Sequence, residues 1–267
     1  MIEYRAFRNY DPPQILRLWE QAGFGHGAAQ RLSNDMSFDM VNYSQTYFDR
    51  NGLILAIDDG TPVGFVHAGF GCSADGNSLD KSMGVVCAVV VEPGHRRQGI
   101  GRELVSRAES YLKGNGATQI LAGPSRQADP FYFGLYGGAR PAGFLQSDEA
   151  AAPFFTKLGY EASGRYAITS RQMNDRDPVH FRSSMIRRKW ELLLIDRPDP
   201  CTWWWMCRYG RMDAVYCVLV PKAGGAPVAG VTIVGLDAYA DCWNEQAIGL
   251  VDLWVDDQHR RQGYGQA

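Results

Sequence analysis

The sequence lacks the features that mark a membrane protein or a nucleic-acid-binding protein. No apolar run approaches the ~20 residues that a membrane-spanning helix needs. The formal net charge of −2 argues against a strongly basic surface for nucleic acid. The first residues show neither the basic start nor the apolar middle of a signal peptide. We therefore expect a cytoplasmic protein with no nucleic-acid partner and no membrane partner.

Cysteine is present, but without the spacing that a disulfide scaffold or a metal site requires. The six cysteines form no Cys-x-x-Cys pair and show no zinc-binding spacing with histidine. Several lie inside apolar runs, as Cys87 does, so we interpret them as reduced core residues and expect no metal. Hydrophobic residues make up 45% of the 267, which is enough for one large domain or two modest ones.

The most informative stretch runs over residues 84–111. It begins with an apolar, β-branched run at 85–91, which predicts a buried central strand. Its last part has apolar residues at helical spacing, which predicts an amphipathic helix. Between the two lies a basic loop in which Gly99 and Gly101 are one residue apart.

This arrangement predicts an anion-binding site. The first turn of a helix has backbone N–H groups without partners inside the helix, and the helix dipole adds partial positive charge. Glycine lets that backbone approach a phosphate closely, and Arg96, Arg97 and Arg102 add formal charge. The loop does not end in Gly-Lys-Ser/Thr, as a Walker loop does, and it has no third glycine for G-x-G-x-x-G. A tight strand-to-helix turn without a ligand is the alternative.

The motif Arg96-x-x-Gly99-x-Gly101, after a valine-rich strand and before a helix, resembles the pyrophosphate loop of the GNAT superfamily of acyl-CoA-dependent N-acyltransferases. That loop reads Gln/Arg-x-x-Gly-x-Gly/Ala, and its amides bind the CoA pyrophosphate. The resemblance implies the GNAT fold, an α+β (mixed α/β) architecture with a central, mixed, largely antiparallel sheet flanked by helices. It also implies acetyl-CoA as the donor substrate.

The resemblance also implies where the donor lies. Loop amides are expected to bind the pyrophosphate, and a backbone N–H near the end of the central strand is expected to polarise the thioester carbonyl. The residues expected to border acetyl-CoA are Val89, Val90, Val91, Arg96, Arg97, Gln98, Gly99, Ile100, Gly101, Arg102 and Phe155.

The remaining patterns occur in the order that this fold requires. We predict, in chain order, a strand at 2–8, a helix from Pro12 with the buried stripe Ile15, Leu16, Leu18 and Trp19, a helix at 39–50, hairpin strands at 53–58 and 63–70, a polar loop at 73–82, and a strand at 118–122. A helix N-capped by Ser147 or Asp148 should then end at Gly159. The long C-terminal strand pair is expected at 160–173 and 181–195, joined through 174–178.

The general acid that the resemblance implies is missing. The family tyrosine that often protonates the leaving CoA thiolate falls at Phe155, which has no proton to donate. The aromatic, glycine-rich segment at 129–141 is expected near the acceptor site, where Tyr132 or Tyr136 would replace that tyrosine. The alternative is a segment that only covers the core. His67, on a neighbouring strand, titrates in the range of a general base, with a structural histidine as the alternative.

A second copy of the pattern follows residues 197–200. The hairpin recurs at 214–220 and 228–234, the central strand at 249–255, and the loop at 259–265, which matches 95–101 at every position but one. The repeat resembles tandem members of the superfamily. Because the given chain stops at Ala267, we expect a truncated second GNAT-like half-domain that binds CoA poorly.

These patterns predict a GNAT N-acyltransferase domain at 1–180 and a partial second GNAT-like domain at 181–267, ending at its pyrophosphate loop. In the second copy Asp252 occupies the place of Ala88. Asp252 is either a base in an intact second domain or a hydrogen-bonding residue of the strand.

The predicted function is transfer of an acetyl group from acetyl-CoA to a primary amine by direct attack. The acceptor is expected to be a small-molecule or peptide amine, and a homodimer is left open. An amine with a pKa of ~10.4 is protonated at neutral pH, so the site must take up a proton before attack and supply one to the thiolate afterwards. Two alternatives stay open: a non-catalytic acyl-CoA-binding or regulatory module, and a domain whose loop binds another phosphate compound.

Overall fold

Two sheets organise the chain in the computed structural model, which describes residues 1–29, 32, 35–173 and 181–266. The strands of the first sheet are β1 (Glu3–Ala6), β2 (Leu53–Asp58), β3 (Thr61–Cys72), β4 (Leu79–Val91) and β5 (Gln119–Ala122). Those of the second sheet are β6 (Trp190–Ile195), β7 (Ala214–Pro221), β8 (Ala229–Gly235) and β9 (Ile248–Val255). The helices are α1 (Pro12–Glu20), α2 (Asp35–Asn42), α3 (Ile100–Gly114), α4 (Ala151–Lys157), α5 (Phe181–Lys189), α6 (Trp203–Tyr209) and α7 (Ala240–Trp243).

Strand order follows chain order in both sheets. In the first sheet the pairs β1–β2, β2–β3 and β3–β4 are antiparallel, and β4–β5 is parallel. The β2–β3 hairpin turns through Asp59 and Gly60, whose φ angles of 45° and 79° are those of a two-residue hairpin turn with both central residues left-handed. The predicted α+β architecture, with a mixed and largely antiparallel sheet flanked by helices, is confirmed.

The first sheet separates two hydrophobic cores, because side chains alternate between the faces of a strand. In β2, Leu53 and Leu55 enter the inner core, whereas Ile54 and Ala56 enter the outer core. The outer core lies under α3, which contributes Ile100, Leu104, Val105, Ala108 and Leu112. The inner core lies between the two sheets and is filled by α1, α2, α6 and the aromatic segment 128–139.

Helix α1 begins at Pro12, as predicted, and buries the predicted stripe. Asp11 does not cap it with its side chain. The Asp11 carboxylate instead accepts two hydrogen bonds of 2.7 Å from the guanidinium of Arg5 and one from the amide of Arg8. Asp11 therefore ties α1 to β1, because its fully buried charge requires a paired partner.

Three predicted boundaries were wrong. The second helix ends at Asn42, not near 50, where the Asn42 amide turns back to the carbonyl of Phe38. Strand β4 starts at Leu79, because the exposed end of the β3–β4 hairpin tolerates polar residues. The cap of α4 is Ala150 rather than Ser147 or Asp148. Pro153 causes no kink there, because the amide it lacks has no partner in a first helical turn.

The predicted C-terminal strand pair was also wrong. Residues 161–173 have no strand and are exposed, which follows from a sequence with few apolar residues. Residues 181–195 divide into α5 and β6, and β6 pairs with β7 in the second sheet. The predicted connection at 174–178 lies outside the described residues.

The second sheet shares the inner core but leaves much of its other face uncovered. Val234 and Val251 point inward, whereas Leu192, Leu194, Leu250 and Leu253 are exposed. A small cluster around α5 covers one end of that face. The six cysteines are free thiols. Within the described ranges, no helix combines the length and hydrophobicity of a membrane span.

Candidate active site

The central strand β4 parts from its parallel neighbour in mid-course. Pairing with β5 runs from Met83↔Gln119 to Val86↔Ala122, and the amide of Gly123 then donates to the carbonyl of Val86 over 2.9 Å. Strand β4 continues to Val91, but β5 has ended. We call the space beside residues 87–91 that β5 leaves open the gap.

A β-bulge marks the start of the gap. His67 pairs with Ala88, but Ala68 pairs with Val86, so Cys87 is the extra residue. Cys87 and Ala88 therefore both face the inner core, and the strand bends between them. A β-bulge of this kind re-aims the backbone beside a site.

Beyond the bulge, the backbone of alternate residues faces the gap. A Cβ atom at Gly64 would lie 2.8 Å from the carbonyl oxygen of Val90, so this carbonyl points toward β3. Since backbone direction alternates along a strand, Val89 and Val91 point toward the gap. The Val90 side chain is buried in the inner core. Of the three predicted donor-binding valines, the register thus favours Val89 and Val91.

After β4, the chain enters the loop at 95–101, here called the first loop. Arg97 and Gly99 have left-handed φ angles of 65° and 86°, and Gln98 between them does not. Alternation of this kind turns successive amides toward one point, as in anion-binding nests. Among the described residues, no backbone acceptor bonds the amides of residues 97–102. The loop therefore presents a set of open N–H groups at the start of the 15-residue α3.

The arginines of the first loop have different roles. The Arg96 guanidinium donates to the carbonyls of Val91 and Ala22 over 2.9 and 2.7 Å, so it braces the loop against α1. Arg97 and Arg102 are exposed. Ile100 is buried under the sheet, so only its backbone N–H is available to a ligand. The Arg96 guanidinium is thus engaged in support of the loop, and its predicted contact with the ligand stays a prediction.

The predicted catalytic pair His67 and Tyr132 lies together but sealed in the inner core. The Nδ1 atom of His67 is 3.0 Å from the hydroxyl of Tyr132, and both side chains are buried. Burial lowers the pKa of His67 to about 3 and raises that of Tyr132 well above its usual value. His67 also stacks on Phe131 at 3.9 Å. These surroundings count against both residues as proton carriers at neutral pH.

Tyr136 is occupied as well. Its hydroxyl accepts a 2.8 Å hydrogen bond from the amide of Leu145, and the ring is buried. Burial raises the pKa of Tyr136. The segment 129–141 packs directly on β3, because a Cβ atom at Gly69 would lie 2.7 Å from the Phe131 ring. The structure thus favours the alternative in which this segment covers the core.

Phe155 lies on α4 in the outer core, not at an open surface. Its ring stacks on Phe144 with centroids 4.6 Å apart and meets Tyr160 edge-on at 5.4 Å. Phe155 therefore supports the ring of Phe144. It has no hydroxyl that could protonate a thiolate.

Two residues after β5, Phe144 near the gap and Asp148 near Arg96, carry no motif that would have identified them from the sequence. Phe144 stands at the start of the gap. Asp148 is partly buried, and burial raises its pKa although the charge of Arg96 opposes the shift. Both come from an irregular segment whose position depends on hydrogen bonds and packing with other parts of the chain.

The loop at 259–265, here called the second loop, has the same local conformation as the first. Arg261 and Gly263 have φ angles of 61° and 90°, like Arg97 and Gly99. Arg260 Nε donates to the carbonyl of Val255 over 3.2 Å, as Arg96 does to Val91. Its last residues begin a short 3-10 turn, Tyr264–Gln266.

Asp252 does not lie open as a base. Its carboxylate is 2.6 Å from Arg140 and 3.9 Å from Arg208, and both arginines also contact the fully buried Asp129. Burial lowers the pKa of Arg208, but Asp129, Tyr209, Asp252 and Tyr47 together outweigh it, and the pKa is raised. The four charges join β9 and α6 to the segment 129–140, so the structure assigns Asp252 to the contact between the two sheets.

A central strand that parts from a parallel neighbour, then an open-amide loop and a long helix, defines the class of GNAT acetyltransferases. Residues 15–135 match the acetyltransferase (GNAT) family. Residues 15–135 therefore correspond to a GNAT acetyltransferase domain. No curated protein sequence matches the chain.

Solved structures extend the likeness in fold. The chain is similar, with 18% identity over 99% of its length and a TM-score of 0.67, to the GCN5-related glucosamine N-acetyltransferase region of a fungal multi-domain beta-N-acetylglucosaminidase. It spans 33% of the length of that protein. It is also similar to an aminoglycoside N-acetyltransferase in complex with CoA, with 14% identity, a TM-score of 0.42, and coverage of 65% of this chain and 96% of that one. The first likeness shows that nearly the whole chain shares a fold with a GNAT region, and the second is too loose to carry more.

Proposed function

We propose that the chain is an acyl-CoA-dependent N-acyltransferase that transfers an acetyl group from acetyl-CoA to a primary amine by direct attack. The observation that carries the proposal is the combination beside β4 of open amides at residues 97–102 with the gap that β5 leaves. Match to the acetyltransferase (GNAT) family supports acetyl-CoA as the donor. The acceptor is a small-molecule or peptide amine.

In this proposal the first loop holds the diphosphate of CoA. The amides of residues 97–102 donate to its oxygens, and the exposed Arg97 and Arg102 add charge. The pantetheine arm then extends along the gap, where the backbone of Val89 and the amide of Val91 offer hydrogen bonds. An N–H aimed at the thioester carbonyl stabilises the charge that develops on its oxygen.

Transfer moves the acetyl group from sulfur to nitrogen, while the nitrogen gives up protons and the sulfur takes one up. The ammonium acceptor must lose a proton to expose its lone pair, and the CoA thiolate must gain one. His67, Tyr132 and Tyr136 are buried and bonded, so we assign neither step to them. Binding that aligns amine and thioester supplies much of the rate by itself.

The domain division belongs to the same proposal. Residues 1–180 form the acyltransferase domain, and 181–267 form a GNAT-like second copy. The recurrence of loop conformation, strand order and loop contacts in the second sheet supports the second copy.

The test uses a matched pair of charge reversals. Calorimetric titration with acetyl-CoA should show saturable binding to the wild type, and Arg97→Glu should weaken it at least tenfold. Arg261→Glu, at the same position of the second loop, should leave the affinity unchanged. Absence of binding to the wild type would refute the proposal, as would equal effects of the two reversals. Release of free CoA with a panel of amines then tests catalysis.

A second candidate function is a non-catalytic acyl-CoA-binding module. It is favoured by one observation: the family tyrosine is replaced by Phe155, and the two candidate substitutes, Tyr132 and Tyr136, are buried in the inner core. Tight acetyl-CoA binding without thiol release across the amine panel would select this function over transfer.

A further inference from the structure

The segment that contains Phe144 crosses the start of the gap. A Cβ atom at Gly123, where the β4–β5 pairing ends, would lie 2.9 Å from the backbone of Gly143 and 3.1 Å from the amide nitrogen of Phe144. The amide of Gly143 donates to the carbonyl of Pro124 over 2.6 Å. Phe144 is therefore fixed by backbone contacts at the point where the two parallel strands separate.

The side chain of Phe144 packs against both hydrophobic cores. Among the partly buried residues that the structure describes, no other belongs to both the inner and the outer core. The two cores lie on opposite faces of the first sheet, and paired strands leave no passage between faces. The ring can touch both cores only where the sheet is open. It therefore occupies the end of the gap at which the β4–β5 pairing stops, which we call the inner end.

Neighbouring contacts hold the ring in place. It stacks on Phe155 at 4.6 Å with an interplanar angle of 20°. The next residue, Leu145, is anchored by the hydroxyl of Tyr136, and Ser147 donates to the carbonyl of Phe24 over 2.9 Å. A Cβ atom at Gly27 would lie 2.7 Å from Leu145, so the segment has little space to retreat toward α1.

We infer that Phe144 closes the inner end of the acyl pocket and restricts the donor to short acyl groups. The inference rests on the proposed function, because it places the acyl group in the gap. A phenyl ring at that end leaves room for a methyl group but blocks a longer chain from extending between the sheet faces. Phe144 is thus a specificity-determining residue, and Phe155 positions it by stacking.

The test compares acyl donors of different length. Calorimetric titrations of the wild type, Phe144→Ala and Phe144→Leu use CoA, acetyl-CoA and hexanoyl-CoA. Each methylene that gains burial strengthens binding about fourfold. We therefore expect Phe144→Ala to improve the affinity for hexanoyl-CoA relative to acetyl-CoA at least tenfold, with Phe144→Leu between it and the wild type.

Phe48→Ala is the matched control, because Phe48 is a partly buried ring of the inner core that packs on Phe7 and Phe131. Its relative affinities should equal those of the wild type. Should Phe144→Ala fail to fold, the Leu variant decides. An unchanged ratio in both Phe144 variants overturns the inference, as does a wild type that binds hexanoyl-CoA as tightly as acetyl-CoA. A wild type that binds none of the three, CoA included, refutes the proposed function and the inference with it.

Discussion

The first and second loops have nearly the same sequence and nearly the same contacts, yet they stand in different surroundings. His95 lies 2.8 Å from Glu92, and His259 lies 2.8 Å from Asp256. Gln98 turns back to the carbonyl of Gly94 as Gln262 does to that of Gln258. Local conformation here follows local sequence, because every one of these contacts spans four residues or fewer.

The surroundings differ in the sheet face near each loop and in the contacts of the first arginine of each loop. The first loop leads into α3, which covers the outer core. In the second sheet, the corresponding face exposes Leu192, Leu194 and Leu250. Arg96 reaches across to the carbonyl of Ala22, whereas Arg260 pairs locally with Asp257. Similar loop sequences thus take the same local conformation above different sheet faces.

The largest effect should come from the buried charges that join the two sheets. Asp129→Asn leaves Arg208 buried without its main counter-charge, which should cost about 3–5 kcal/mol of unfolding free energy. Asp257→Asn, in the exposed pair with Arg260, should cost less than about 1 kcal/mol. Urea unfolding measures both. If Asp129→Asn cost as little unfolding free energy as Asp257→Asn, the buried charges around Asp129 would not hold the two sheets together.

A smaller difference in unfolding free energy should distinguish the covered outer face of the first sheet from the exposed face of the second sheet. Leu104→Ala removes a side chain that is 0% exposed and should cost about 2–5 kcal/mol. Leu250→Ala, on the face of the second sheet where the side chain is 64% exposed, should change stability by less than about 0.5 kcal/mol. If Leu250→Ala cost as much as Leu104→Ala in urea unfolding, the second face would be covered in solution.

The smallest effect concerns two equivalent buried positions. The pairs Gly64↔Val91 and Ala229↔Val255 occupy equivalent places, because each lies just before a loop. Three residues further along their strands, His67 in β3 therefore corresponds to Thr232 in β8. His67 has a pKa of about 3 in the fold, below its value of about 6.5 in an unfolded chain. The unfolded state then binds more protons below pH 6.5, so stability is full above that pH and falls as the pH drops toward 3.

The slope is about 1.4 kcal/mol per pH unit in that window. Between pH 7 and pH 5 the wild type should therefore lose about 2 kcal/mol more than His67→Thr, which places the second sheet's residue in the first. Urea unfolding at the two pH values gives the difference. Equal losses in both proteins would show that His67 is protonated in the folded state.

Several elements could be predicted from the sequence because their signals are local. The β2–β3 hairpin follows from Asp59-Gly60, α1 from Pro12 and its apolar stripe, and the first loop from its glycines and arginines. The donor-binding half of the site was therefore foreseeable, although its binding role itself stays a proposal.

The acceptor-facing half was not foreseeable. Tyr132 and His67 are chemically suitable side chains, but whether they are open or sealed depends on the aromatic segment that packs over β3. Asp252 resembles a base by its place in the repeat, yet Arg140, distant in sequence, pairs with it. The strand predicted at 160–173 failed because the segment has few apolar residues to bury and does not pair with a strand in the described part of the chain.

The sequence by itself determined the central strand, the loop of open amides and the recurrence of both, since hydrogen bonds over a few residues and glycine's left-handed freedom suffice for them. Only the tertiary structure decided which titratable groups are buried, where Phe144 closes the gap and what the second sheet packs against. Those properties depend on contacts between residues far apart in the chain, and on the loss of solvent that such contacts cause.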